Sequence, residues 1–405
     1  MNNDRLVVGF SCIGHGLVHL VMILYPTVVL ALERAWGLPY GELIALSLPG
    51  FLLFGVGALP AGWLGDKWSA ERMMLIFFVG TGLACIFTGL VDGPLGMAIG
   101  LGLIGLFGSI YHPVGIAWVV RAAVNRGRLL GLNGIFGSAG LAAGPFVAGA
   151  LSDFVSWRAA FIVPGILLIG VGIALRMLLR SGTMIPRKED RVREPLPARG
   201  DIIRVFVVLS VTMACAGLVF QGLSIALPKV FAENTPAITQ GMTIGAGALV
   251  GAVYVISAFG HVVGGWAADR YPSKPVYIVG WALQVPLLAL CASTGNWMLF
   301  AVVTAASFVN VAVTPAETLI LVKYTPEKYR ATAFGAKFVL ALGVAALSVP
   351  MVAVMYEATG GFYWFFMALA AFGAIIALAS ALLPNERRRV ALVAGAGRAS
   401  PAPAE

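Results

Sequence analysis

Apolar residues in this chain come in long runs, and charged residues are confined almost entirely to the short clusters that separate them. A hydrocarbon layer about 30 Å thick is crossed by roughly 20 apolar residues in a helix, and the runs reach that length. They predict twelve spans, near residues 6–31, 40–65, 72–91, 94–121, 128–152, 157–180, 201–231, 241–268, 274–294, 297–323, 328–356 and 360–384. Nowhere do apolar and polar residues alternate over the ten or so positions of a lipid-facing barrel strand. The predicted class is therefore an all-α membrane protein, because helices are the remaining way to satisfy backbone polar groups in lipid.

Composition agrees: 60% of residues are hydrophobic and 11% are charged, against about 25% charged in a soluble domain. The first run is too long for a signal-peptide core and has no small-residue cleavage site beside it, so it is expected to remain as span one. Cys12, Cys85, Cys215 and Cys291 all fall in apolar runs. They read as packing residues, not as a disulfide framework or ligand cluster. The net charge of +9 sits in loops and tails, which makes it a topology signal and argues against a nucleic-acid partner. Of 27 Lys and Arg, 23 fall on the side that holds both termini and the loop between spans six and seven; Arg34, Arg158 and Lys229 fall on the other, and Lys337 within a span. The positive-inside rule predicts cytoplasmic termini in a bacterial-type inner membrane.

Residues 181–200 carry five cations and three prolines, which is linker chemistry. The expected organisation is a six-helix half at 1–180, a cytoplasmic linker at 181–200, a second six-helix half at 201–385 and a disordered tail at 386–405. The halves repeat. Gly62-Trp63-Leu64-Gly65-Asp66-Lys67 after span two matches Gly265-Trp266-Ala267-Ala268-Asp269-Arg270 after span eight at an offset of 203. Arg128 matches Arg330, and His112-Pro113 matches Thr314-Pro315, both at 202. Gly16-Leu17-Val18 returns as Gly217-Leu218-Val219. Matches in the same order indicate duplicated halves, an arrangement that puts a solute site near the midplane between repeats.

The chain resembles the major facilitator superfamily, whose loop after span two follows Gly-x-Leu-Ala-Asp-Arg; Gly62, Leu64, Asp66 and Lys67 fit, and Asp269 and Arg270 stand in the second copy. Gly140, Gly144, Pro145 and Gly149 in span five resemble the antiporter motif of the family's drug/proton exporters. Trp157-Arg158-Ala159-Ala160-Phe161 resembles its usual start of span six. Gly108-Ser109-Ile110-Tyr111-His112-Pro113 is similar to the fosmidomycin-resistance branch, as are His19 and Tyr25-Pro26. The resemblance implies twelve helices in two pseudo-symmetric halves, and proton-driven export of a small compound. It implies that Asp66 and Asp269 engage helix ends and cations in one conformation only, with Arg121, Arg128 and Arg330 as partners. An anion is stabilised near helix N-termini, so breaking that contact permits rocking; lipid headgroup binding is the other reading of the arginines.

Ionisable residues inside spans are costly and need a partner or a watery cavity. Glu317 and Lys337 are expected at similar depth in spans ten and eleven, as a proton-coupling carboxylate with its tuning cation or as a fixed ion pair. His15 and His19, four residues apart, share one helix face about 6 Å apart along the axis. Histidine titrates near neutral pH, so the pair suits cavity lining and proton relay, or bonding between helices; a metal lacks a third ligand at recognisable spacing, and no metal site is assigned. His112 precedes Pro113, which removes a backbone hydrogen bond, kinks the helix and frees a carbonyl, as suits a binding site, so His112 is expected to take a solute or coupling role. His261, beside Gly260 and Gly264, reads as a packing histidine. Tyr111 lies in the branch-like stretch, and Gln221 and Asn310 bond to the cavity or to neighbouring helices. Gly140, Gly144 and Pro145 permit close packing and a bend.

Three functions are consistent with this reading. The first is a secondary transporter exporting a small organic compound with proton coupling. The second, motivated by the missing exporter arginine in span four, is a metabolite importer or uniporter; the third is a non-transporting sensor on the same fold. No loop holds a nucleotide-binding or hydrolytic constellation, so an enzyme is not expected. Expected partners are a small-molecule solute, protons and membrane lipids, with no cofactor, and the chain is expected to act as a monomer.

Overall fold

The computed structural model describes residues 3–122, 126–184, 199–324, 337 and 339–384. Among them are twelve helices long and apolar enough to cross a membrane: Asp4–Trp36, Tyr40–Gly65, Ala70–Leu90, Pro94–Val119, Gly131–Phe154, Ala159–Arg180, Ile203–Asn234, Thr243–Arg270, Ser273–Cys291, Asn296–Leu321, Val339–Thr359 and Tyr363–Ala381. These are spans one to twelve. Leu95 and Leu378 are 76% and 74% exposed on the outside of the bundle, a surface suited to lipid and unsuited to water. The expected tail, the start of span eleven with Arg330, and residues 185–198 of the expected linker lie outside the described residues, as do the side chains of Asp66, Arg121 and Arg128.

Several spans are assembled from pieces. Span one is two helices, Asn3–Met22 and Leu24–Trp36, and extends five residues past its expected end because Glu33 and Arg34 find ionic partners there. Span eight breaks at Phe259 between Thr243–Ala258 and Gly260–Arg270. At Pro113 span four runs through a π-helical turn, Tyr111–Gly115. The wider turn absorbs the backbone hydrogen bond that proline cannot make.

Glycines set the helix crossings. A Cβ on Gly140 would lie 2.0 Å from the Gly16 carbonyl oxygen, so spans one and five touch backbone to backbone. The second half repeats this contact, with Gly217 of span seven against the Ala341 carbonyl of span eleven at 2.6 Å. Farther along span five the neighbour changes. Gly149 abuts Ile244, and Gly247 and Gly251 of span eight abut the carbonyls of Pro145 and Ala142. Gly140 and Gly144 therefore pack within the first half, whereas Pro145 and Gly149 join the two halves.

Candidate functional site

Among the described residues, two of the polar clusters within the spans gather residues that the sequence singled out, one cluster in each half. In the first, His15 and His19 of span one meet His112 at the π turn of span four. Ring centroids are 4.9 Å apart for His15 and His19, 5.5 Å for His15 and His112, and 5.2 Å for His19 and His112. Nε2 of His19 lies 3.1 Å from Nε2 of His15, and Nδ1 of His15 lies 2.8 Å from the Asn133 carbonyl oxygen. A carbonyl only accepts, so His15 carries its proton on Nδ1 and offers Nε2 as an acceptor to His19. Tyr111 stacks on His15 at 5.0 Å, and its hydroxyl donates to the Ser11 carbonyl at 2.9 Å and accepts from Nδ2 of Asn133 at 2.9 Å. Gly137 of span five leaves the room that the His15 ring fills, for a Cβ there would sit 2.6 Å from it.

The second cluster holds the buried Glu317 carboxylate. Nζ of Lys337 lies 2.9 Å from its Oε1, and Tyr277 donates its hydroxyl to Oε2 at 3.0 Å. Lys337 also reaches the Thr318 hydroxyl at 3.3 Å. Span nine thus supplies a third element to a pair that the sequence reading confined to spans ten and eleven. Gln221 is buried on span seven, and among the described residues its amide nitrogen has no hydrogen-bond partner. Asn310 is half-buried on span ten.

Other expectations meet a different arrangement. His261, read as a packing histidine, is exposed, as are its neighbours Val262 and Val263; Gly260 and Gly264, rather than the histidine, make the contact with span ten. Lys67 and Arg270 lie over Trp63 and Trp266 of their own helices, at 4.3 and 5.8 Å. The same cation–ring contact thus stands in both copies of the repeat, and among the described residues neither cation, nor Asp269, forms an ion pair. The spacing argument against a metal at His15 and His19 also fails, because the third imidazole comes from another span.

The sequence reading missed a network at the end of the bundle away from Arg180 and Arg199. Lys229 of span seven binds both carboxylate oxygens of Glu33 on span one, at 2.7 and 3.0 Å, and Glu233 holds it at 3.4 Å. Tyr356 donates to Glu233, and Glu357 accepts from the Gly41 amide at 2.8 Å. Arg34 reaches the Thr243 hydroxyl at 2.5 Å and Asp153 at 3.4 Å, while Asp153 accepts from the Ile244 amide at 2.7 Å. The signal was present in the charge count: three cations stand on a face otherwise bare of them. Each has an anion, for Arg158 holds Asp92 at 2.5 Å.

The sequence model of the Major Facilitator Superfamily matches residues 11–255 and 209–404. A probable hexose phosphate transport protein of Chlamydia pneumoniae is 29% identical over 150 residues, 36% of this chain and 33% of that protein. The tetracenomycin C resistance and export protein of Streptomyces glaucescens is 30% identical over 171 residues, 41% of this chain and 30% of that protein. The chain thus spans about a third of the length of these curated relatives. A bacterial homolog of the human lysosomal transporter Spinster, solved in an inward-facing and occupied conformation, superposes with a TM-score of 0.75 at 15% identity, over 95% of this chain and 96% of its own. That likeness shows the fold.

Proposed function

The chain belongs to the major facilitator superfamily, and on that premise we propose that it is a secondary transporter that exports a small organic compound in exchange for protons, with Glu317 as the coupling carboxylate. The observation that carries this reading is the Glu317–Lys337–Tyr277 cluster, a largely buried charge pair between span ten and a lysine two residues before the described start of span eleven. A buried ion pair is seldom a net source of stability, since desolvation offsets the attraction, and titratable groups held in this way are candidates for work. Protonation of Glu317 removes the attraction to Lys337 and changes how spans ten and eleven hold each other. The contacts between Lys229 and Glu33, and between Gly149 and Ile244, support a state closed at the end away from Arg180. On the positive-inside assignment that end faces outside, and residues 1–180 and 201–385 are the two bodies that rock.

The test is growth inhibition of an efflux-deficient bacterium expressing the wild type or Glu317→Gln at equal membrane abundance, across a compound panel that includes fosmidomycin. Protection by the wild type and its loss in the variant are expected. No protection by either would set export aside. The match to a hexose phosphate transport protein favours import of an anionic metabolite as the second reading. Its mark would be uptake of a sugar phosphate into proteoliposomes, with counterflow retained in Glu317→Gln.

A further inference from the structure

Three of the four histidines in the chain converge on one point. From His15, His19 and His112 can be drawn one ring nitrogen each, all within 4.8 Å of one another. We propose that these imidazoles form a binding site for a divalent transition-metal ion of the zinc class, with a fourth position left for water or an anionic group. The proposal is independent of the coupling role of Glu317.

The geometry supports a ligand set in three ways. Tetrahedral zinc at about 2.0–2.1 Å from each nitrogen sets the nitrogens about 3.3 Å apart. His15 and His19 already stand at 3.1 Å, and with all three nitrogens within 4.8 Å of one another a closer approach of His112 completes the set. Second, His15 donates Nδ1–H to the Asn133 carbonyl, the outer contact that fixes the tautomer and aims the other nitrogen of a ligating histidine. That leaves Nε2 of His15 as the unprotonated nitrogen, and its lone pair, which accepts from His19 in this arrangement, is the one a metal would take. Third, the ligands ride on packed elements. Gly137 and Tyr111 confine the His15 ring, and His112 is buried in the π turn against Phe54, at 5.6 Å.

Coordination replaces the His19–His15 hydrogen bond: the proton on Nε2 of His19 moves to its own Nδ1, and each imidazole stays neutral. Neutral imidazoles suit zinc, copper, nickel and cobalt, and the absence of carboxylate or carbonyl donors in the set disfavours calcium and magnesium. Three protein ligands with an open position are the pattern of zinc sites that take an exchangeable ligand. A bound ion would tie span one to span four.

The full chain, purified in detergent with a tag that lacks histidine, is titrated with zinc and with cobalt(II). The expected result is one equivalent bound, with the intense visible bands of low-coordinate cobalt(II). His19→Ala and His112→Ala are each expected to weaken binding at least roughly tenfold, the scale seen when metal-site partners are removed, and His261→Ala to leave it unchanged. Zinc should also raise the unfolding midpoint of the wild type and not that of His19→Ala, which separates loss of the site from loss of the fold. Binding that survives both variants, octahedral cobalt bands, or no binding by the wild type would overturn the proposal.

Discussion

At the scale of single residues, the first cluster depends on hydroxyl and amide groups that sequence reasoning passed over. Ser11 and Asn133 are buried, and with Tyr111 they close a ring of hydrogen bonds: Nδ2 of Asn133 donates to Ser11 Oγ at 3.2 Å and to the Tyr111 oxygen at 2.9 Å. Tyr111→Phe removes the central oxygen from among side chains that are themselves buried. A buried polar group left without its partner costs about 1–3 kcal/mol, so a lower unfolding midpoint in detergent is expected. Because Asn133 also accepts from His15, the variant should broaden the His15 ring resonance in NMR. An unchanged midpoint and resonance would mean that the ring of hydrogen bonds positions nothing.

At the scale of elements, span five shows how one helix serves two interfaces. Its glycines look alike in the sequence but differ in what a methyl group would meet. On Gly140 it strikes the Gly16 carbonyl at 2.0 Å, whereas on Gly134 it finds nothing within 4 Å. Gly140→Ala must push spans one and five apart, an overpacking cost of about 1–3 kcal/mol or more. Gly134→Ala is expected to be neutral or to stabilise the helix by about 0.5–1 kcal/mol, since alanine is the better helix former. Thermal unfolding of the two proteins side by side checks the order; equal midpoints would sink the crossing geometry. The π turn of span four belongs to the same scale. Gly62 and Gly65 of the repeated motif face Pro113 and Val114, where added Cβ atoms would lie 3.2 and 2.8 Å away, so the end of span two rests on the turn that carries His112.

At the scale of the whole molecule, the two halves are latched at one end. Lys229 and Glu33 have side chains 14% and 24% exposed, between the exposed limit of about 0–1 kcal/mol and the buried limit of about 3–5 kcal/mol for breaking a pair. Lys229→Met is expected to weaken the closed arrangement by about 1–2 kcal/mol, a factor of 5 to 30 in population. Spin labels on spans one and seven at that end should then report a longer-distance population. A distance distribution identical to that of the wild type would show that the remaining contacts of Arg34, Glu357 and Tyr40, whose hydroxyl donates to the Ile225 carbonyl at 3.4 Å, hold the halves together unaided. Nζ of Lys229 also lies 5.4 Å from the centre of the Tyr40 ring, so the neutral replacement removes that cation–ring contact along with the ion pairs.

What the sequence determined by itself is the set of properties carried by local windows. Twelve runs and their length depend on the transfer of about twenty consecutive residues between water and lipid, while the excess of cations on one side and the order of repeated motifs are read along the chain itself, and no distant contact alters any of these. Even the Glu317–Lys337 pair was legible, because two spans joined by a short loop run side by side. The remainder of the site was not. His19 and His112 are 93 positions apart, and whether their rings meet depends on how spans one and four are rotated, which glycine crossings at Gly14, Gly16 and Gly140 decide. Glu33 and Lys229 belong to different halves, so their contact exists only in the arrangement that brings those halves together. Hydropathy fixes that a helix crosses the bilayer; it is nearly indifferent to which face of that helix looks inward. Close packing of backbone against backbone removes that indifference, and only the tertiary structure contains it.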